Sequence, residues 1–275
     1  MNLAGSVILY NPDSSVINNI KTYIEMVNVL YVIDNSIQSN EYILAELKKN
    51  NKIKITQNNE NLGVATGLNI AARMAIKDNY DWLLTMDQDS SFSQDNILKF
   101  SNFFNQFNAD SNIGIMCPNT AIGGNMPDII ENVHSITSGS IINLNAYDKV
   151  GGFDDYLFID EVDADFSYKI KMNGFKVLKF PNIHMNHKLG EQKSLGYFNY
   201  FFKKERTIHN SFRIYFMVRN YFIIRSRYIK TFPELYKWRD KDFKIMIKNN
   251  LFFSKNFFTT LTRAAKGYID YLKRK

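Results

Sequence analysis

The sequence predicts an α/β fold with a mostly parallel central sheet flanked by helices, and three observations carry that reading. Apolar strand-like runs alternate with amphipathic helical stretches through the first part of the chain, polar segments fall where each strand would end, and from about residue 203 aromatic and basic helical stretches take over. In order, "LAGSVILY" (3–10) reads as a strand, "SSVINNIKTYIEMV" (14–27) as a helix opened by a serine cap, and "VLYVID" (29–34) as the second strand. "EYILAELKKN" (41–50) continues as a helix, "KIKITQ" (52–57) as a strand, "VATGLNIAARMAIKDN" (64–79) as a helix and "DWLLTM" (81–86) as the fourth strand. A helix at about 94–107 precedes further strands in "NIGIMCPN" (112–119) and "IENVHSITSGSIINL" (130–144). A helical stretch follows at 160–174, stopped by Gly174, and then a strand "FKVLKF" (175–180).

The 275 residues, 45% hydrophobic and 15% aromatic, suffice for a sizeable core and exclude a disordered chain. Cys117 is the only cysteine, so no intramolecular disulfide can form, and Met1 leads into no basic-then-apolar leader; both point to a reducing cytosol. The net charge of +7 conceals an asymmetry. Residues 203–275 hold 19 Lys and Arg against 5 Asp and Glu, a net of +14, leaving 15 against 22, a net of −7, in residues 1–202. We therefore expect a catalytic domain over 1–202 and a helical, basic region over 203–275.

In open α/β sheets the ligand crevice lies outside the carboxyl ends of the strands. Tyr10 and Asn11 of "YNP", Asp34, "NNENLG" (58–63) and "DQD" (87–89) all fall at such ends and are expected to converge. A strand extended through "LLTMDQDSSF" would point Asp87 and Asp89 to the same face, a costly pair without a cation. An EF-hand would need glycine in place of Phe92 and glutamate in place of Leu98, and the first strand runs into "YNPDSS" without the G-x-G-x-x-G of a nicotinamide site. A hard divalent cation, held by few carboxylates and completed by diphosphate oxygens, remains.

Taken in order, "ILYNP", "YVIDNS", "NENLGVATGLNIA", "LLTMDQDSSF", "SGSIINLNAYDKVGGFDDYLFIDEVDADF" and "MNHKLGE" resemble glycosyltransferase family 2 with a GT-A fold, in its rhamnosyltransferase-like branch. The likeness spans roughly residues 3–191, with a weaker continuation in "RIYFMVRN" (213–220). It implies a dTDP- or UDP-sugar donor, Mn²⁺ or Mg²⁺, inverting transfer, and a glycan or lipid-linked saccharide acceptor. It also implies that Asp34 meets the pyrimidine base, that Tyr10, Asn11, Asn61 and Gly63 line the nucleotide, the last two by bringing a helix N-terminus close, and that Asp87 lies toward the ribose or metal-bound water. Asp89 then ligates the metal, His187 completes its shell with His184 as competitor, and Gly139 and Ser140 of "SGS" form the acceptor-side loop. The base of an inverting transfer aligns with Asp163, because Lys169 follows Asp165 by four positions as the family's basic residue does; Val162 and Lys169 depart from the usual Glu and Arg, and Asp160 stays as the alternative.

"IYFMVRNYFIIRSRYI" (214–229) is broken by Arg219, Arg225 and Arg227, short of the ~18–20 apolar residues of a spanning helix. Its aromatics and cations, with those of "LFFSKNFFTTLTRAAKGYIDYLKRK", predict helices lying on an anionic membrane surface, hence a peripheral place on the inner face of the cell membrane. No nucleic-acid module is present in the sequence, and no nucleic-acid partner is expected.

Overall fold

A computed structural model describes residues 2–119, 127–187 and 207–274. They form two compact units, one of residues 1–158 with 162–187, the other of 159–161 with the residues beyond 187.

The first unit contains a sheet in the order β3-β2-β1-β4-β8-β6-β9-β5, with β7 also on β9. Its first four strands are β1 (Leu3–Leu9), β2 (Val29–Asp34), β3 (Ile53–Gln57) and β4 (Trp82–Asp87), all parallel. β2 is buried along its whole length, as expected of a strand covered on both faces. The remaining strands are β5 (Ser90–Phe92), β6 (Ile113–Asn119), β7 (Ile130–Asn132), β8 (Ser140–Asn143) and β9 (Lys176–His187). The sheet is mixed beyond β4. Gly139 N donates to Thr85 O at 2.7 Å, so β8 starts beside the carboxyl end of β4 and must run back antiparallel to it.

Helices α1 (Ser15–Lys21), α2 (Glu41–Lys48), α3 (Gly63–Lys77), α4 (Gln94–Phe107), α5 (Leu144–Lys149) and α6 (Val162–Met172) complete this unit. α1 is shorter than its sequence suggests. Thr22 Oγ1 returns to Asn19 O at 2.7 Å, a side-chain bond that competes with the next helical turn, and a 3₁₀ turn follows at Ile24–Met26. α3 buries Gly63, Ala65, Gly67, Ala71, Ala72 and Ala75, a small-residue face that lets it lie close to the sheet. A Cβ at Gly67 would come within 3.0 Å of Ile8 Cδ1, so that glycine serves packing. On another side, Phe100, Phe103 and Phe107 of α4 pack around Phe180.

The second unit is built from α7 (Ser211–Tyr228), α8 (Pro233–Phe253) and α9 (Phe257–Arg274). α9 meets α7 at Gly267, where a Cβ would sit 2.5 Å from Tyr215 O. Arg225 holds Asp240 at 2.9 and 3.0 Å, joining α7 to α8. Among the described residues no helix is long and apolar enough to cross a membrane.

Candidate active site

The sheet register places the strand ends side by side: Leu9 pairs with Asp34, Asp34 with Gln57, and Ile8 with Asp87. Asp34 is fully buried. Its Oδ1 accepts from Ser36 N at 2.9 Å, while no described residue donates to Oδ2. A buried carboxylate oxygen without a donor is costly and suits a site that a ligand N–H completes. Tyr10 is largely exposed, and Asn11 has a left-handed backbone (φ 46°) with its N–H on Ser36 Oγ at 2.8 Å.

β4 ends at Asp87, and Gln88 and Asp89 form a turn into β5. The same-face argument from an extended strand therefore does not apply, because the chain turns at Gln88 and Asp89. Gln88, to which the sequence reading gave no role, is the brace of this turn: its Oε1 accepts from Tyr10 N at 2.9 Å, its Nε2 donates to Tyr10 O at 3.2 Å, and its carbonyl accepts from Asn19 at 2.9 Å. Asp87 N donates to Ser138 Oγ at 3.1 Å, and the Asp87 charge adds to burial in raising the pKa of Tyr23. Ser90 pairs with His187 across the β5–β9 ladder, so the backbone brings His187 next to the Asp89 turn; the His187 side chain lies outside the described residues. His184 stands earlier on β9 with its N–H on Asn96 Oδ1 at 3.1 Å and a buried Nδ1 that has no hydrogen-bond partner among the described residues. Among those residues, no three His, Cys, Asp or Glu side chains cluster as a metal shell.

Asn58 belongs to the strand-end run 58–63 that was expected to converge on the site, whereas Asn35 escaped the sequence reading, although an Asn at a strand end is a signal for such bridging. Asn35 Nδ2 donates to Gly63 O at 2.9 Å and its Oδ1 accepts from Asn58 at 2.8 Å, tying the ends of β2 and β3 to the start of α3. Gly63 has φ 81°, and a Cβ there would strike Phe158 O at 2.6 Å. The N–H groups of Val64 and Ala65 donate to Phe158 O at 2.6 and 3.3 Å, and Gly63 N to Asn61 Oδ1 at 3.0 Å. The donors that the start of α3 was expected to offer a phosphate are thus engaged within the chain. Gly139 is also left-handed (φ 77°), with Met185 Sδ 2.7 Å from where its Cβ would be, and Ser140 is buried with its hydroxyl on Ile136 O.

The acids of the 160–165 stretch have different surroundings. Asp165 is fully buried with Lys169 Nζ 2.8 Å from its Oδ2, and the same amine donates to Gly152 O at 3.2 Å. Asp163, half-buried in the first turn of α6, accepts from Ala164 N at 2.8 Å and has no cation within ion-pair distance among the described residues. In the second unit, Asp160 is gripped by Arg213 at 2.8 and 3.1 Å, and Glu161 accepts from Arg239 at 2.7 Å.

The family model for glycosyl transferase family 2 matches residues 7–153, just over half of the chain. The chain is 26% identical to the dTDP-rhamnosyl transferase RfbF of Shigella flexneri, over 99% of this chain and 92% of that protein. Among solved structures, GalNAc-T7 with UDP, GalNAc and Mn²⁺ aligns with a TM-score of 0.59 at 14% identity, over 98% of this chain and 58% of its own. TarS residues 1–349 of S. aureus in complex with UDP-GlcNAc align with a TM-score of 0.55 at 13% identity, over 100% of this chain and 72% of that one. Against a TarS structure not restricted to those residues the match covers 67% of this chain and 36% of TarS, with a TM-score of 0.52. At such identities these structures speak for the shared fold.

Proposed function

The chain belongs to glycosyl transferase family 2 as a rhamnosyltransferase-like glycosyltransferase, and on that premise we propose that it transfers L-rhamnose from dTDP-β-L-rhamnose, with inversion, to a bacterial surface glycan or lipid-linked saccharide. The observation that carries the donor half of this reading is Asp34, whose buried Oδ2 at the strand ends lacks a donor among the described residues. An ionised carboxylate only accepts, and thymine and uracil offer it their N3–H. Tyr10, Asn11 and Asn61 border the nucleotide in this reading, with Asp87 toward the ribose. The Asp89 turn and the Ser90–His187 rung suit a hard cation with few protein ligands. Asp89, with His187, would hold Mn²⁺ or Mg²⁺, which when bound would offset negative charge on the departing diphosphate. Asp163 takes the proton of the acceptor hydroxyl as its oxygen bonds to C1; the C1–O bond to the diphosphate breaks on the opposite face and dTDP leaves. Gly139 keeps the acceptor-side loop low enough for a sugar to approach.

The test is selective for the imide. dTDP and UDP are expected to raise Tm, whereas CDP, whose N3 is an acceptor, is not. Asp34→Asn is expected to weaken dTDP and UDP binding by about 10- to 10²-fold, the worth of a hydrogen bond to a charged group, without lowering the Tm of the free protein. Unchanged dTDP affinity in the variant removes Asp34 from the base site, and equal stabilisation by CDP removes the pyrimidine reading.

The finer reading of location rests on α9. One side of this helix is buried at Thr260 and Gly267; another exposes Phe258 (80% accessible), Leu261, Ile269 and Leu272, and Arg263, Lys266 and Lys273 stand beside them in solvent. An apolar face rimmed by cations suits the boundary of an anionic leaflet. Phe258→Ser with Leu272→Ser is expected to abolish co-sedimentation with phosphatidylserine vesicles while leaving dTDP binding intact. Undiminished sedimentation, or wild-type protein that ignores such vesicles at low salt, refutes this attachment.

A further inference from the structure

Within the first unit, a chain of buried hydroxyls runs from the loop at residues 137–140 to the turn that carries Asp89. Ser138, 1% exposed, accepts the Asp87 N–H on its Oγ at 3.1 Å and donates its own proton to Ser90 Oγ at 2.8 Å. Ser90 is fully buried, and its hydroxyl donates to Asp89 Oδ1 at 3.4 Å. The donors therefore point one way, from the N–H of the first acid through two serine side chains to the carboxylate of the second. Met185 Sδ, 3.8 Å from Ser138 Oγ, is a much weaker acceptor for the same proton.

Holding the loop does not require this chain. Gly139 N donates to Thr85 O at 2.7 Å, and Thr85 Oγ1 reaches Thr137 O at 2.5 Å and Ser140 O at 3.0 Å, so the loop is tied to β4 on both sides of Ser138. A buried hydroxyl costs free energy unless it is bonded, and alanine would fill nearly the same space. What the serine hydroxyl adds is a bond to the turn. We propose that Ser138 is a positioning residue, which through Ser90 fixes the orientation in which Asp89 presents its carboxylate to a divalent cation. A ligand held by its own hydrogen-bond partner needs less ordering when an ion arrives, and chains of hydrogen bonds polarise one another in a buried setting. The inference rests on the reading of Asp89 as the metal ligand. It also makes the loop read as the acceptor side and the turn read as the metal side parts of one hydrogen-bonded assembly.

The experiment uses the full-length chain saturated with dTDP and follows Tm as Mn²⁺ is added, reading the Mn²⁺ concentration at half-maximal stabilisation. Ser138→Ala is expected to raise that concentration by about 10-fold, the low end for loss of a metal ligand's hydrogen-bond partner, because the last bond of the chain is long. Ser90→Ala is expected to do the same, and the double variant no more than either alone, since both cut one chain. Ser135→Ala is the control: its hydroxyl is equally buried, 3.0 Å from Ser167 Oγ on α6, and its loss should lower the Tm of the free protein without moving the Mn²⁺ half-point. A wild-type half-point in Ser138→Ala overturns the inference, as does a double variant whose effects add, or an equal shift in Ser135→Ala, which would mean general softening. Should Ser138→Ala fail to fold, a wild-type half-point in Ser90→Ala overturns it in the same way. Failure of the metal reading looks different: dTDP-bound wild-type protein would have the same Tm in Mn²⁺ and in EDTA, and the proposal would go with it. A metal response lost in Asp89→Ala but normal in Ser138→Ala sinks the positioning role alone.

Discussion

Asp163→Asn is expected to keep the fold and near-normal donor affinity yet lose turnover by about 10²- to 10⁴-fold, the range for removal of a general base. Four acids crowd residues 160–165, and their partners separate them. Asp160 is forked by Arg213, Glu161 is paired with Arg239 and Asp165 is buried against Lys169. A carboxylate whose lone pairs and charge are already met by a cation is a poor proton acceptor. Among the described residues Asp163 has only its neighbour's N–H, which leaves oxygen lone pairs for an incoming hydroxyl. A base works on the proton in the transition state, so the loss is expected in kcat and the donor KM should stay put. Asp160→Asn is the control. Asparagine tolerates a left-handed backbone and keeps an oxygen for Arg213, so its effect should be the smaller. If Asp160→Asn is silent while Asp163→Asn turns over normally, the base is Asp160; if both turn over normally with a competent acceptor, inverting transfer through this stretch is refuted.

The alternation of strands and helices through β4 was legible because β1, β2 and β4 are apolar runs closed by polar residues, β3 alternates as I-K-I-T-Q, and stretches of helical periodicity lie between them. The placement of Asp34 and Asp87 at strand ends followed from the same pattern. What escaped is short or depends on distant partners. β5 has three residues, too few for any period, and it exists because Ser90–Phe92 find the far end of β9. The strand expected over 175–180 runs on past Pro181 to His187; the ladder with β6 shifts register between Phe180 and His184, where a missing N–H is tolerated. α5 was signalled by Asn143, which caps Asn145 and Ala146 at 2.9 and 3.1 Å, and by the left-handed glycines 151 and 152 after it, but six residues make a weak period. Gln88 and the α7 and α8 side chains around residues 159–161 owe their roles to contacts across 53 to 78 positions, which no local pattern reports.

Asp89→Ala is expected to remove the metal-dependent part of donor binding. In wild-type protein, dTDP should raise Tm further with Mn²⁺ than with EDTA; in the variant the two curves should coincide, and the free protein's Tm should be close to wild type, because Asp89 lies in a turn and not in the buried ladder. Turnover should fall by about 10²-fold or more, since a cation on a diphosphate contributes several kcal/mol and about 1.4 kcal/mol is tenfold. Asp87→Ala separates ligation from structure. Asp87 ends a buried strand, and its charge helps raise the pKa of Tyr23, so its removal should alter the free protein as well as the metal response. A difference between Mn²⁺ and EDTA that survives in Asp89→Ala would move the cation elsewhere. If it disappears in His187→Ala but not in Asp89→Ala, the β9 end of the Ser90–His187 rung holds the ion and the second acid of the turn does not.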